Sequence, residues 1–135
     1  MKSPSEIVNL MLSNDAFSKW LGVKIIELDK GKCTLTLSVN ELMLNGFNIA
    51  HGGIAYSLAD SCLAFASNSH GFKSVTIDTS FSYLKKVNVR DILTAFSKEE
   101  LLSKRVAVYS INIVNQNDEK VALMKGTVSI SSIEW

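Results

Sequence analysis

Residues 45–69 read NGFNIAHGGIAYSLADSCLAFASNS, and this stretch decides the fold that the sequence predicts. It begins with turn-forming residues and passes through His51-Gly52-Gly53. It then continues for about sixteen residues that are apolar on almost every side. A helix with no polar face is a buried helix. We therefore expect one long central helix around which the other elements of the chain are arranged.

Asp60 is the one charged residue within this helix. Burying a carboxylate is costly unless it is paired or hydrogen-bonded, and the helix itself offers no partner. Gly52 and Gly53 start the helix about two turns earlier, where free amides carry the positive end of the helix dipole and glycine permits close approach. Gly53 and Asp60 lie on nearly the same helix face. Amide donors for a negative oxygen together with a base or nucleophile indicate an acyl-transfer or hydrolytic site, although a structural carboxylate remains the alternative.

Composition narrows the class of protein. The chain has 135 residues, of which 47% are hydrophobic and 20% charged, and this suits one domain spanning residues 1–135. The formal net charge of +1 gives no field that favours nucleic acid or an anionic membrane as a partner. Cys33 and Cys62 fall in apolar patterns, which predicts buried free thiols in a reducing compartment. No metal-ligand spacing, leader or apolar run of transmembrane length is visible, so we expect a cytoplasmic protein without a metal or cofactor.

The remaining elements follow from periodicity. A helical lead-in covers residues 1–21, with helices at 4–13 and 16–21. Alternating runs predict strands at 23–28, 33–39, 74–83, 92–98, 105–115 and 120–130, with a hairpin turn at 115–119. In the run 74–83 the alternation puts Phe81 and Tyr83 on one face and Thr76 on the other. The class is α+β, and the apolar helix must be wrapped by the sheet or covered by a second subunit.

The phrase HGGIAYSLAD, with Asn45 six residues before His51, resembles the acyl-CoA thioesterases of the hotdog fold, and more narrowly their phenylacetate-pathway (PaaI-like) branch. The segments TIDTSFSYLKK and VALMKGTVSI fit as well, so the resemblance covers roughly residues 20–131. It implies a long central helix wrapped by a six-stranded antiparallel β-sheet. It also implies a homodimer joined edge to edge, often paired again into a homotetramer, that hydrolyses an aryl- or fatty-acyl-CoA thioester to free acid and CoA.

The resemblance also assigns catalytic roles by position. The backbone amide of Gly52 polarises the thioester carbonyl, and Asn45 positions the thioester or the water. Asp60, contributed by the other subunit, is the general base or the nucleophile. Thr76 matches a hydroxyl residue that helps to hold the attacking water in some relatives.

The candidate substrate-binding residues flank these positions. His51 stands before two glycines and is expected to brace the loop next to Gly53. Lys85, Lys86 and Arg90 lie at strand ends, where they are candidates for the phosphates of CoA, although solvated strand-end charges are the alternative. Relatives usually carry proline at the position of Lys86 and glycine at that of Arg90, which affects the details of CoA contact.

Two other functions remain open at this stage. A non-catalytic acyl-CoA-binding module fits the same fold, because a fold does not determine a function. An acyl-thioester hydratase or dehydratase would need a histidine and an acid that act together, and the local setting of His51 disfavours this. The sequence does not determine which acyl group is hydrolysed, or whether it is carried by CoA or by an acyl-carrier protein. It also leaves open whether the protein is a dimer or a tetramer, and whether Asp60 is the base or the nucleophile.

Overall fold

The computed structural model describes every residue from Met1 to Trp135. Two short helices, α1 (Pro4–Ser13) and α2 (Ala16–Leu21), precede the long helix α3 (Gly52–Asn68), and a 3₁₀ turn covers Glu41–Met43. The strands are β1 (Lys24–Asp29), β2 (Lys32–Ser38), β3 (Phe72–Tyr83), β4 (Ile92–Leu102), β5 (Val106–Val114) and β6 (Lys120–Glu134).

The six strands form one antiparallel sheet in the order β1-β2-β4-β5-β6-β3. Helix α3 contacts every strand from β2 to β6, so the sheet wraps around the helix, and α1 and α2 pack against its remaining side. The predicted α+β architecture of a central helix wrapped by a six-stranded sheet is therefore confirmed. Strands β1 and β3 are the two edges, and β3 has a free edge along its whole length.

The core lies between α3 and the concave face of the sheet. Leu58, Leu63 and Phe65 on the helix are fully or almost fully buried. Gly126 on β6 lies directly against Leu63, since a Cβ atom there would come within 2.4 Å of a methyl carbon of that leucine. Cys33 and Cys62 are both buried and free, as predicted, and the thiol of Cys62 donates to the carbonyl oxygen of Cys33 at 3.3 Å.

Helix α3 differs from the prediction in one respect, because it is not buried on every side. One stripe along the helix remains partly exposed, and its members recur at helical spacing: Gly53, Tyr56, Ser57, Asp60, Ser61 and Ala64. The stripe faces the gap between α2 and β3, which the sheet does not cover. The expectation that Asp60 is buried is therefore wrong, since its side chain is only partly shielded from solvent.

Strand β3 also departs from the predicted alternation. A bulge between Thr76 and Asp78 leaves Ile77 without a partner, so the residues before it point to the opposite face from the one expected. Thr76 pairs with the buried Val128 and therefore faces α3, on the same side as Phe81. The predicted placement of Thr76 on the opposite face from Phe81 is wrong, because an unbulged alternation was assumed.

Strands β4 and β6 are longer than predicted, since each extends to meet a paired neighbour. The end of β4 pairs with the start of β5, and the end of β6 reaches Phe72 at the start of β3. The predicted turn after β5 is confirmed, and the side-chain oxygen of Asn115 accepts from the amides of Asn117 and Glu119 at 3.0 and 3.1 Å. None of the helices combines the length and the apolar character needed to cross a membrane.

Candidate active site

The start of α3 leaves one backbone amide free. His51 is the N-cap, and its Nδ1 atom accepts a hydrogen bond from the amide of Gly53 at 2.9 Å. The amide of Ile54 donates to the carbonyl oxygen of His51, also at 2.9 Å. The amide of Gly52 has no acceptor within the chain. Because the positive end of the helix dipole is at this point, the Gly52 N–H is a prepared donor for a negative oxygen.

Strand β3 holds this helix start in place. The hydroxyl of Tyr83 donates to the carbonyl oxygen of Gly52 at 3.0 Å. A Cβ atom at Gly52 would lie 3.0 Å from the same hydroxyl, which is tighter than an ordinary contact, so a larger residue would have to displace the tyrosine ring. The ring of Tyr83 packs on Phe81 at 4.6 Å between centroids, and Phe81 packs on Tyr56 at 5.3 Å. Sequence analysis placed Tyr83 only as a strand residue, because no local pattern indicates a partner thirty-one residues away.

Asn45 organises the loop that leads into α3. Its side-chain oxygen accepts from the amides of Phe47 and Ile49 at 2.9 and 3.4 Å, and its own amide donates to the Ile49 carbonyl at 2.8 Å. This is the local turn that asparagine commonly forms. The side-chain NH₂ group makes no hydrogen bond within the chain, so it remains available to a ligand.

Asn45 and Gly52, which carry these free donors, both line one cavity of about 410 Å³. His51, Tyr83, Lys85 and Lys86 also line it, together with apolar residues: Ile49, Ala50, Ala55, Leu84, Val87 and Val121. The cavity therefore combines two hydrogen-bond donors, an apolar wall and two lysines. Asp60 is not part of it.

The three predicted phosphate-binding residues have different settings. Lys85 forms an ion pair with Glu119, and this hydrogen-bonded partner lowers the pKa of the Glu119 carboxyl group. Lys86 lines the cavity and forms no ion pair. Arg90 lies outside the cavity, in a loop position with a φ of 71°, where its amide donates to the Val39 carbonyl at 2.8 Å.

Asp60 lies on the open stripe of α3 and makes no hydrogen bond within the chain. Partial burial, and then the negative charge of Asp15, raise the pKa of the Asp60 carboxyl above its ordinary range. Asp15 caps α2 by accepting from the amide and hydroxyl of Ser18 at 2.9 and 2.6 Å. The Ser18 hydroxyl in turn lies 2.9 Å from that of Ser61, next to Asp60. In the sequence Asp15 looks like an ordinary helix cap, and no local pattern links it to α3.

Thr76 faces the part of α3 between Tyr56 and Asn68. The hydroxyl of Tyr56 lies 2.7 Å from that of Thr79, and the Asn68 side chain bonds both the amide and the carbonyl of Ser74. These two connections align α3 antiparallel to β3, with the middle of the helix opposite the middle of the strand. Thr76 lies on β3 between these two connections. It therefore faces the segment of α3 between Tyr56 and Asn68, which contains Asp60.

The predicted catalytic residues therefore fall into two separate groups. We call Asn45 and Gly52 the amide half-site, and Asp60 and Thr76 the carboxylate half-site. Eight residues of α3 separate Gly52 from Asp60, which is about 12 Å along the helix axis. An oxyanion donor lies about 3 Å from the reacting oxygen, and a base must also be within hydrogen-bond reach or one water away. Gly53 and Asp60 share the partly exposed face of the helix, as predicted, but Gly52 and Asp60 of one chain are too far apart to act on one carbonyl.

A second cavity, of about 680 Å³, lies at the other end of β3 and β6. It is lined by His70, Lys104 and Arg105 together with Phe72, Leu102, Ile130 and four serines. It contains neither a free helix-start amide nor a carboxylate, which are the groups that the predicted chemistry uses. No group of three or more His, Cys, Asp or Glu side chains in the chain is arranged to hold a metal ion.

The chain was compared with known proteins. The family model of the Thioesterase superfamily matches residues 47–122. The acyl-coenzyme A thioesterase PaaI of Escherichia coli is 40% identical over 116 residues, covering 86% of this chain and 83% of that protein. The solved structure of E. coli PaaI superposes with a TM-score of 0.94 and covers 97% of this chain and 95% of its own.

Two streptococcal structures add information on ligands. A Streptococcus mutans protein solved with acetyl CoA is 26% identical, with a TM-score of 0.81 and coverage of 84% and 91% of the two chains. A hypothetical thioesterase of Streptococcus pneumoniae solved with coenzyme A is 25% identical, with a TM-score of 0.87 and coverage of 93% and 98%. Aspartate-to-alanine and threonine-to-alanine variants of the latter protein have also been solved.

The wrapped helix, the sheet order and these matches establish the hotdog fold, and the family resemblance carried by HGGIAYSLAD is confirmed. The chain belongs to the Thioesterase superfamily and is a homologue of the PaaI acyl-CoA thioesterase, a thioester hydrolase.

Proposed function

We propose that this protein is an acyl-CoA thioesterase that hydrolyses an aryl- or fatty-acyl-CoA to the free acid and CoA. The observation that carries the proposal is the unpaired Gly52 amide, which opens with the Asn45 side chain into the 410 Å³ cavity at the start of α3. Preorganised donors of this kind stabilise the negative oxygen that develops during acyl transfer. The homology to PaaI supplies the substrate class.

The reaction uses both half-sites. The Gly52 N–H polarises the thioester carbonyl, and Asn45 orients the thioester. Asp60 takes a proton from a water molecule that Thr76 helps to hold, and the resulting hydroxide attacks the carbonyl carbon. Collapse of the tetrahedral intermediate breaks the C–S bond and releases CoA as the thiolate, which is protonated from solvent. A pKa raised by burial suits Asp60 to act as a base, and direct attack by the carboxylate is the alternative.

The site requires two chains, because the half-sites of one chain are about 12 Å apart. In a two-fold symmetric dimer, the amide half-site of one subunit can meet the carboxylate half-site of the other, and two complete sites result. The free edge of β3 supports this assembly, since Val75 and Ile77 on that strand are 67% and 60% exposed. Pairing of two such dimers would give a tetramer.

Lys86 is the better placed of the three basic candidates for a CoA phosphate. It lines the cavity without an ion-pair partner, whereas Lys85 is already paired with Glu119 and Arg90 lies outside. His51 acts by capping the helix, because its Nδ1 atom is occupied by the Gly53 amide. Gly53 therefore contributes space rather than a free donor. We further propose a cytoplasmic location.

Release of free thiol from a panel of aryl- and fatty-acyl-CoA esters tests the proposal. We expect turnover by the native protein and its loss in Asp60→Asn. Asp29→Asn is a matched control, because Asp29 is an exposed aspartate at the end of β1, on the sheet edge opposite to β3. Binding without turnover by the native protein would favour a binding module. Conversion of an enoyl thioester without thiol release would favour a hydratase.

A further inference from the structure

The chain exposes large apolar side chains next to each half-site. On α2, Phe17 and Trp20 are 55% and 50% exposed, with ring centroids 6.0 Å apart. In the loop 40–50, Leu42 and Phe47 are 79% and 84% exposed, which makes them the most exposed large apolar residues of the chain. We call these the α2 patch and the loop patch. Exposed apolar groups in such pairs commonly mark a contact surface.

The α2 patch is attached to the carboxylate half-site. The Ser18 hydroxyl on α2 lies 2.9 Å from that of Ser61, the residue after Asp60. The charge of Asp15, at the start of α2, also reaches Asp60. Because α2 has six residues, it is only about 9 Å long. Any subunit that presents its Asp60 to a reaction centre therefore brings its α2 to the same place.

The loop patch is attached to the amide half-site. The Asn45 side chain holds the amide of Phe47 at 2.9 Å, and the amide of His51 donates to the Met43 carbonyl at 2.8 Å. The 3₁₀ turn Glu41–Met43 presents Leu42 and is itself capped by the Asn40 side chain. The loop is thus a fixed structure, and it moves together with Gly52.

From these attachments we propose that the α2 patch of one subunit packs against the loop patch of the partner and closes that side of the shared active site. The inference rests on the proposed function, which requires the Gly52 amide of one subunit to approach the partner's Asp60. That approach places the loop of the first subunit beside the partner's α2. A second copy of this chain is therefore the occupant, and two-fold symmetry produces the contact twice in each dimer.

The contact has a consequence for catalysis. Aromatic side chains are enriched in the buried centre of interfaces, and apolar closure excludes water from a site where charge develops. The N-terminal helices thereby become part of the active-site wall, although they carry no reacting group. Weakening the contact is expected to loosen the dimer and thereby to lower activity, because the two half-sites of each active site lie on different subunits.

Cross-linking between two singly substituted chains tests the contact directly. A Trp20→Cys chain is co-expressed with a differently tagged Phe47→Cys chain and exposed to mild thiol oxidation. We expect a disulfide-linked heterodimer, because the proposed contact brings Trp20 of one chain close to Phe47 of the other. The native Cys33 and Cys62 should not interfere, since both are fully buried. In the matched control, the Phe47→Cys chain is paired with an Ile26→Cys chain. Ile26 is 62% exposed, but it lies on β1, the sheet edge opposite to β3.

The outcomes separate this inference from the proposed function. Absence of the heterodimer, or equal cross-linking of the Ile26→Cys control, would overturn the contact even if the protein hydrolyses acyl-CoA. Selective cross-linking in a protein without thioesterase activity would support the contact and contradict the proposed thioesterase function. The double variant Phe17→Ser, Trp20→Ser provides a second measurement. We expect its dimer dissociation constant, from sedimentation, to rise at least about tenfold, and an unchanged constant would contradict the contact.

Discussion

Asp60→Asn separates the chemical role of this carboxylate from its effect on the fold. Asparagine keeps the size of the side chain and removes the charge. If Asp60 is the general base, kcat should fall by about 10²- to 10⁴-fold, the usual contribution of such a group. Because Asp60 makes no hydrogen bond within the chain, the substitution leaves no partner unpaired, and the fold should not be destabilised.

The sign of the stability change follows from the pKa. Burial and then Asp15 raise the pKa of Asp60 in the folded state, so the folded protein binds more protons than the unfolded chain between the ordinary and the raised pKa. Stability therefore falls as the pH rises through that window and stays lower above it. Since Asp60 is partly exposed, solvent screening limits the effect at pH 7 to about 1 kcal/mol or less. This corresponds to a melting temperature higher by at most about 5 °C in Asp60→Asn.

Thiol release and thermal melting of the two proteins, at pH 7 and near pH 4, provide the assay. We expect the variant to be inactive at both values and to melt at or above the wild-type temperature at pH 7. The difference should become smaller near pH 4, close to the ordinary carboxyl pKa, where a large part of Asp60 is protonated in both states. Activity within tenfold of wild type would show that Asp60 is not the base. A melting temperature several degrees lower at pH 7 would reveal a structural partner for the carboxylate and refute the reasoning.

Three further substitutions have distinct expected outcomes. Asp15→Asn keeps the helix cap but removes the charge that helps to raise the pKa of Asp60, so the acid limb of the kcat/KM profile should move to lower pH; an unmoved limb would contradict the coupling. His51→Ala removes the acceptor of the Gly53 amide and should cost about 0.5–2 kcal/mol in urea unfolding, with no loss expected if the cap is dispensable. Gly126→Ala inserts a methyl group 2.4 Å from a core leucine and should destabilise by about 1–3 kcal/mol, whereas a neutral result would mean that the core can shift.

The architecture was accessible from the sequence because its signals are local. The apolar run that became α3, the change to period two and the turn at Asn115 each depend on neighbouring residues. The sheet face on which Thr76 lies could not be predicted from the sequence. The bulge at Ile77 reverses the face of every residue of β3 before it, and no glycine or other local signal marks the bulge. The partly exposed stripe was also missed, because the small residues Ser57 and Ala64 do not reveal which side the sheet leaves uncovered.

The site was predictable only as a set of residue types. The motif singled out Gly52 and Asp60 as candidates, and it showed that one carboxylate within the helix needs an explanation. It also predicted that His51 braces the loop, but it did not reveal that Tyr83 fixes the helix start from a strand thirty-one residues away. Such contacts depend on tertiary packing, which no local pattern encodes. The separation of the half-sites follows from the length of α3 alone, and it makes the shared active site a geometric requirement of the proposed chemistry.

The most direct test of this shared site is complementation between two inactive variants. Asp60→Asn and Asn45→Ala chains are co-expressed in equal amounts with different tags, and thiol release is measured on the purified mixed dimers. Each mixed dimer holds one site with both Asn45 and Asp60 intact and one site with neither, so about half of the wild-type activity per dimer should return. If both residues of a site came from the same chain, every site would carry one substitution. The mixed dimers would then be as inactive as the parent variants, and the account would be contradicted.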